Sequence, residues 1–223
     1  GEGRVYHSNR YTIFGMLTRM GCEVLDLGVV RDDPATMEAA FREAAAAADV
    51  VISSGGVSVG EADFVKGLMA ELGEVLFWKI AMKPGRPMAF GRIRVDGEEI
   101  RGERGGAAWL FGLPGNPVAV MVTFYQFVRE ALYALMGADP VPVVPLLPAL
   151  CTGALKKVAG RTEFQRGILS LMDGQWRVRP AAAQGSGVLR SMADANCFIV
   201  LEHDRGNVAA GDQVGVQLFD GLV

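Results

Sequence analysis

The chain has 223 residues, 50% of them apolar and 21% charged, with a net charge of −3 at pH 7. That is enough apolar chain for one large or two smaller domain cores, which excludes a disordered or fibrous protein. The slightly negative balance excludes a general attraction to nucleic acid, so an anionic ligand must be met by a local basic patch.

Residues 9–20 carry Ile13, Met16, Leu17 and Met20 on one helical stripe, and Gly21 supplies the stop. Residues 22–30, CEVLDLGVV, read as a strand in which Gly28 introduces a turn. Asp33 then stands as N-cap with Pro34 at the first position of an Ala-rich helix over 35–48. This helix leads into residues 49–64, DVVISSGGVSVGEADF, where Val50, Val51 and Ile52 form a buried strand ending at Ser53, Ser54, Gly55 and Gly56. Strand, helix and strand make a βαβ unit whose parallel strands carry ligand loops at their carboxyl ends, placing Asp32 and Glu61/Asp63 on one rim.

The turn after the second strand carries chemistry. Gly55, Gly56 and Gly60 let the backbone come close to a ligand and aim amide N–H groups at an anion, while Glu61 and Asp63 follow at once. Such a turn suits a phosphate and its metal ion; an ordinary tight turn with acidic residues at a helix start is the other reading, and spacing leaves both open.

A helix over 64–72 stops at Gly73 and is followed by VLFWKIAMKPGRPMAF. Alternation puts Lys79, Ala81 and Lys83 on one face of an extended strand, and Pro84-Gly85 turns to present Arg86. A solvated edge strand would also carry lysines. The flanking Trp78, Ile80 and Met82 favour a buried strand instead, where cations need an anionic partner. Residues 94–106 are charged and Gly-rich and read as an exposed, mobile loop. The strand 107–113 ends in GLPGNP, and a long helix over 118–135 has Asn116 as its cap and Pro117 at its first position. This is a second candidate anion site, or a rigid turn shaped by Pro114, Gly115 and Pro117.

Residues 137–148, GADPVPVVPLLP, cannot be helical and read as a linker. Beyond it, strands are expected at 149–155, 163–170, 175–180, 197–201 and 213–218, with turns at Asp173-Gly174 and Gly211-Asp212, in a compact, mostly antiparallel β-domain. Arg161, Arg166, Ser186 and Arg190 lie in it, and position alone marks such arginines as solvated. Cys22, Cys151 and Cys197 have no CxxC or Cys/His spacing and read as reduced thiols of a cytoplasmic protein. His7 and His203 lack a partner at metal-ligand spacing, and no His is placed as a base for Ser53 or Ser54. No membrane span or signal peptide is read; the first residue is not Met, and residues 1–7 read like the middle of something longer.

The blocks DVVISSGGVSVGEADF, FWKIAMKPGRPMAFG, GLPGNPVAVMVTF and NCFIVLEHDRGNV, in this order, resemble the molybdopterin molybdenumtransferase family, which includes bacterial MoeA and the E domain of gephyrin. Essentially the whole chain is covered. The resemblance implies an α/β fold: a three-layer α/β domain with a mostly parallel sheet, related to the molybdopterin adenylyltransferases, over 1–140, and a small β-barrel-like domain over 141–223. It implies an enzyme that inserts molybdate into adenylylated molybdopterin with release of AMP, using Mg2+ or another divalent cation. Residue by residue, it puts Asp32 and Asp63 at the metal, and Asp32, Asp63, Lys79 and Lys83 in catalysis. Substrate binding falls to Ser53, Gly55, Gly56, Glu61, Arg86, Pro114, Asn116 and Pro117, with Arg166 and Ser186 reaching in from the β-domain. Family members have four domains, of which the chain resembles the last two, and the TGDEL-type acidic motif of the family has no counterpart here. A cytoplasmic homodimer of the full-length protein, with a molybdopterin adenylyltransferase as partner and without nucleic acid or membrane, is the implied setting. A gephyrin-type scaffold or receptor-anchoring module and an adenylyltransferase are the alternative functions.

Overall fold

The expected Asp-Pro helix start is formed as read. Asp33 has extended backbone angles (φ −134, ψ 129), and its carboxylate accepts hydrogen bonds from Thr36 N at 3.0 Å and Thr36 Oγ1 at 2.6 Å, ahead of Pro34. In this computed structural model the described residues are 8–31, 33–55, 62–95, 106–182, 184–185, 187 and 189–219; the side chains of 62–66, 77 and 78 are also outside the description. In chain order the elements are α1 (Ser8–Arg19), α2 (Pro34–Ala47), β1 (Val50–Ser54), α3 (Ala62–Leu72), β2 (Gly73–Lys79), β3 (Met82–Lys83), β4 (Pro87–Arg94) and β5 (Ala107–Leu113). Then follow α4 (Pro117–Thr123), a π-helical turn (Phe124–Val128), α5 (Arg129–Leu135), β6 (Leu147–Cys151), β7 (Thr162–Met172), β8 (Gln175–Pro180), α6 (Arg190–Ala193), β9 (Cys197–Leu201) and β10 (Gln213–Leu218). The chain divides into two compact units, Gly1–Ile80 with Pro87–Asn116, and Ala81–Arg86 with Pro117–Val223.

The first unit is α/β. Its sheet has the order β1-β5-β4-β2; β1 and β5 are parallel, while β4 is antiparallel to both β5 and β2. The sheet is therefore mixed rather than mostly parallel. Antiparallel neighbours are joined without a crossover helix, and no helix lies between β2 and β4 or, among the described residues, between β4 and β5. Across the β4–β5 connection Val95 N donates to Gly106 O at 2.9 Å; the loop itself, 96–105, lies outside the described residues. Helices α2 and α3 cover one face, packing Phe41, Ala45, Leu68, Met69 and Leu72 against Val51, Ile93, Ala108 and Leu110. Gly73 and Gly91 face backbone carbonyls of the opposite strand, Arg92 O and Glu74 O, with no room for a Cβ, so the β2–β4 approach depends on both glycines.

The strand read over 22–30 is not formed. Residues 22–31 have no regular structure, and Leu25, Leu27, Val29 and Val30 are exposed. An extended segment becomes a strand only by pairing its backbone, and among the described residues β1 pairs with β5 alone. The segment is held instead by Asp26, whose two carboxylate oxygens accept from Arg10 Nε at 2.7 and 2.8 Å and one of which also accepts from Gly28 N at 2.9 Å.

The second unit is built on a closed sheet. Strands β7, β8, β6, β10 and β9 follow one another and β9 pairs back with β7, making a five-stranded barrel to which β3 is added in parallel along β7. Three of the five strands have the bounds read from the sequence, because alternation and tight turns fix them locally. The interior is Cys151, Leu155, Leu169, Val178, Cys197, Ile199, Leu201, Val208, Val214 and Val216, with Ala149. Burial raises the Cys197 thiol to about 12. Lys157 is also buried, its Nζ donating to Arg205 O at 2.7 Å, His203 O at 3.1 Å and Val158 O at 3.4 Å.

The helical run Pro117–Leu135 belongs to this unit. By length and composition it is the one described helix able to cross a membrane, yet over half of its apolar window is buried inside the protein, as in a core helix. Gln126 Nε2 donates to Gln217 Oε1 at 2.6 Å, and Tyr125 sits 6.3 Å, centroid to centroid, from Phe198. The π-turn follows Thr123, whose buried hydroxyl donates back to Ala119 O at 2.8 Å and Val120 O at 3.0 Å.

Candidate functional site

Parallel pairing of β1 with β5 sets Ser54 opposite Leu113, so the two Gly-rich turns leave the sheet side by side at the carboxyl ends of their strands. Gly55, at φ +93, donates its N–H to Leu113 O at 3.1 Å, and a Cβ on Gly115 would lie 3.8 Å from Gly55 Cα. Asn9 joins the turns: its Nδ2 donates to Ser54 Oγ and to Gly115 O, both at 2.8 Å. The two anion-site candidates that sequence spacing kept apart are one rim. Ser53 lies half-buried in β1, Pro114 is buried and Asn116 is exposed, all at this rim. Gly56 and Glu61 of the first turn and Asp32 lie outside the described residues; Asp63 is in α3 with its side chain outside the description.

The basic residues do not share one strand. The extended strand expected from Lys79 to Lys83 is broken at Ile80 and Ala81, because β2 pairs with β4 of the first sheet while β3 pairs with β7 of the barrel. Lys79 ends β2 and is exposed; Lys83 lies in β3 and Arg86 follows the turn, both exposed. That turn is rigidly seated in its own unit. Gly85, buried at φ +107, faces Thr123 so closely that a Cβ would come 2.6 Å from Thr123 Cγ2.

Lys83 is paired in register with Glu163, and its Nζ lies 3.5 Å from Glu163 Oε2. Arg161 Nε donates to Glu163 Oε1 at 3.0 Å. Alternation along β7 puts Arg166 on the opposite face of the strand from Glu163. Arg166 is 1% exposed; its Nε donates to Ser191 Oγ and its Nη2 to Gly185 O, both at 3.2 Å, and Gln184 closes a pair of bonds with its backbone at 2.8 and 2.9 Å. Burial lowers the pKa of this guanidinium below the usual arginine value. It is a built, buried cation rather than the solvated arginine that its position alone suggests. Ser186 lies outside the described residues. Pro117 begins α4, half-buried.

Sequence reasoning missed Asn9 and Glu163. Asn9 reads as the first residue of a helical stripe, and Glu163 as the first residue of an expected strand; both matter through partners more than 40 residues away.

The fold and site define a class: an α/β unit with paired glycine turns at the carboxyl ends of parallel strands, carried in one chain with a small barrel. Residues 2–134 match the family described as "Probable molybdopterin binding domain", and residues 148–219 match "MoeA C-terminal region (domain IV)". The chain belongs to this molybdopterin-binding family. It is 45% identical over its whole length to the molybdopterin molybdenumtransferase of Haemophilus influenzae, covering 52% of that protein, and 31% identical over 95% of its length to that of Nostoc sp., covering 47%. A molybdopterin biosynthesis MoeA protein from Pyrococcus horikosii has a similar structure, with a TM-score of 0.77 at 28% identity over 99% of this chain and 50% of that one. The chain thus spans about half the length of the curated relatives it matches.

Proposed function

We propose that the chain is the molybdopterin-handling part of an enzyme of molybdenum cofactor biosynthesis that inserts molybdate into adenylylated molybdopterin and releases AMP. The observation that carries the reading is the pairing of the two glycine turns by Asn9 at the ends of β1 and β5. The whole-length similarity to molybdopterin molybdenumtransferases supports it. The domain division proposed with it is 1–140 and 141–223; the family matches over 2–134 and 148–219 support it, whereas the compact units group 81–86 and Pro117–Leu135 with the barrel.

Each residue then has a chemical task. The turn at Ser53, Gly55, Gly56 and Glu61 and the rim at Pro114, Asn116 and Pro117 receive the phosphate-bearing substrate: Gly56 and Asn116 offer backbone N–H groups, while Pro114 and Pro117, which have none, shape the loop. Lys79, Lys83 and Arg86 supply cationic donors to molybdate, a tetrahedral dianion that needs fixed charge and hydrogen bonds. Arg166 and Ser186, in the barrel unit, are further candidate donors, and Arg166 would have to give up its bonds to Ser191 Oγ and Gly185 O to serve as one. A divalent cation such as Mg2+, held by Asp32 and Asp63, would polarise the adenylyl phosphate bond. Among the described residues no group of three metal-ligating side chains occurs, and those two carboxylates lie outside them. The setting proposed is a cytoplasmic, homodimeric full-length protein that receives its substrate from a molybdopterin adenylyltransferase.

The test is molybdate-dependent AMP release by the full-length protein carrying Asp63→Ala. AMP release is expected to be lost while the fold is kept; unchanged turnover would refute the assignment. Peptide capture without pterin binding would point to a scaffold, and ATP-dependent adenylylation of molybdopterin to the adenylyltransferase reading.

A further inference from the structure

The carboxylate of Glu163 is 1% exposed, yet it has no task in the reading above. Among the described residues its partners are all donors: Arg161 Nε at 3.0 Å on Oε1, and Gln165 Nε2 at 3.2 Å and Lys83 Nζ at 3.5 Å on Oε2. The Lys83 side chain, by contrast, is 54% exposed. In this pair the carboxylate is the fixed member and the ammonium the adjustable one. A lysine head on a four-carbon stem swings freely unless something anchors it. Strand β3 is only two residues long and is held to the barrel through β7, where Met82 pairs with Thr162 and Lys83 with Glu163. The ion pair therefore sits on the register that attaches the Lys83 strand to the barrel. Two cations face the one carboxylate, so the cluster keeps a net positive charge toward an incoming oxyanion.

We propose that Glu163 is a positioning residue that fixes the Lys83 ammonium for the oxyanion substrate. The inference rests on the reading that Lys83 meets molybdate. Glu163 touches no substrate; it acts through Lys83, with Arg161 and Gln165 holding the carboxylate in place. Two roles for this carboxylate have opposite consequences. If it only neutralised charge, its removal would leave the cluster more positive and bind a dianion more tightly. If it positions Lys83, its removal frees the ammonium and weakens binding.

The experiment measures molybdate KM and kcat for AMP release in the full-length protein, with Lys83→Met, Glu163→Gln, Glu163→Asp and the Lys83→Met/Glu163→Gln double variant. Thermal unfolding of each separates folding defects from binding. Glu163→Gln is expected to raise molybdate KM about tenfold with kcat little changed, as for losing one charge-assisted contact. Glu163→Asp, which keeps the charge one methylene short, should fall between it and wild type. In the Lys83→Met background Glu163→Gln should add nothing, since both act through one ammonium. A Glu163→Gln KM that is unchanged or lower, or effects that add in the double variant, would overturn the proposal while leaving Lys83 as the anion-binding residue. An unchanged KM in Lys83→Met would remove the underlying reading of Lys83 and this inference with it.

Discussion

Replacing Gly85 by Ala perturbs the KPGRP turn in two separable ways. Gly85 has φ +107, a conformation that side-chain-bearing residues rarely adopt, and it is buried. Forcing Ala into such backbone costs about 1–3 kcal/mol. The new Cβ would also lie 2.6 Å from Thr123 Cγ2 and 3.3 Å from Met82 Cε. The methionine end can turn away, whereas Thr123 is fixed in its helix by two hydroxyl bonds to Ala119 O and Val120 O, so overpacking adds about 1–3 kcal/mol. The sum, about 2–6 kcal/mol, corresponds to a fall of about 4–24 °C in Tm for a chain of this size. The assay is thermal unfolding of Gly85→Ala, Thr123→Ser and the double variant. Thr123→Ser removes Cγ2 and keeps the hydroxyl, so the double variant should regain the packing part of the loss but not the backbone part. A Gly85→Ala protein that unfolds within about 1 °C of wild type would refute the argument, and equal Tm values for single and double variants would refute the role of the Thr123 contact.

Three further outcomes follow from the same structure. Lys157→Met should destabilise the barrel by about 2 kcal/mol, because Arg205 O and His203 O lose a charged donor inside the protein, read as a lower denaturation midpoint. Cys22 should be the thiol that a maleimide labels in the native protein, since Cys151 and Cys197 are buried and Cys197 is raised to about 12; labelling of Cys197 before unfolding would contradict this. Hydrogen bonds from Thr36 hold the Asp33 carboxyl below its ordinary range, so its contribution to α2 is present above the unfolded-state pKa and is lost as pH falls through the lowered folded-state value. Asp33→Asn keeps a capping side chain but cannot titrate, and should flatten that part of the acid dependence, measured by unfolding between neutral and acid pH.

What the sequence made legible was whatever local chemistry decides. The α2 start needs only Asp33, Pro34 and Thr36, and the strands Gln175–Pro180, Cys197–Leu201 and Gln213–Leu218 need only alternation and flanking turns. What stayed hidden depends on distant partners. Leu25, Leu27 and Val29 have the pattern of a strand but, among the described residues, no strand beside them, and Lys79 and Lys83 read as one strand because nothing local reveals that Met82 pairs with Thr162. The same limit concealed the site's supports. Ser53 to Gly55 and Pro114 to Asn116 were visible as turns, but Asn9 holding them together, Glu163 beneath Lys83 and Gly85 against Thr123 exist only once strands and helices meet.

The central claim is most directly tested by giving the full-length protein adenylylated molybdopterin and measuring AMP with and without molybdate. The proposed function requires AMP release that rises with molybdate and accompanies the appearance of molybdenum cofactor. AMP release independent of molybdate, or none in its presence, would contradict it.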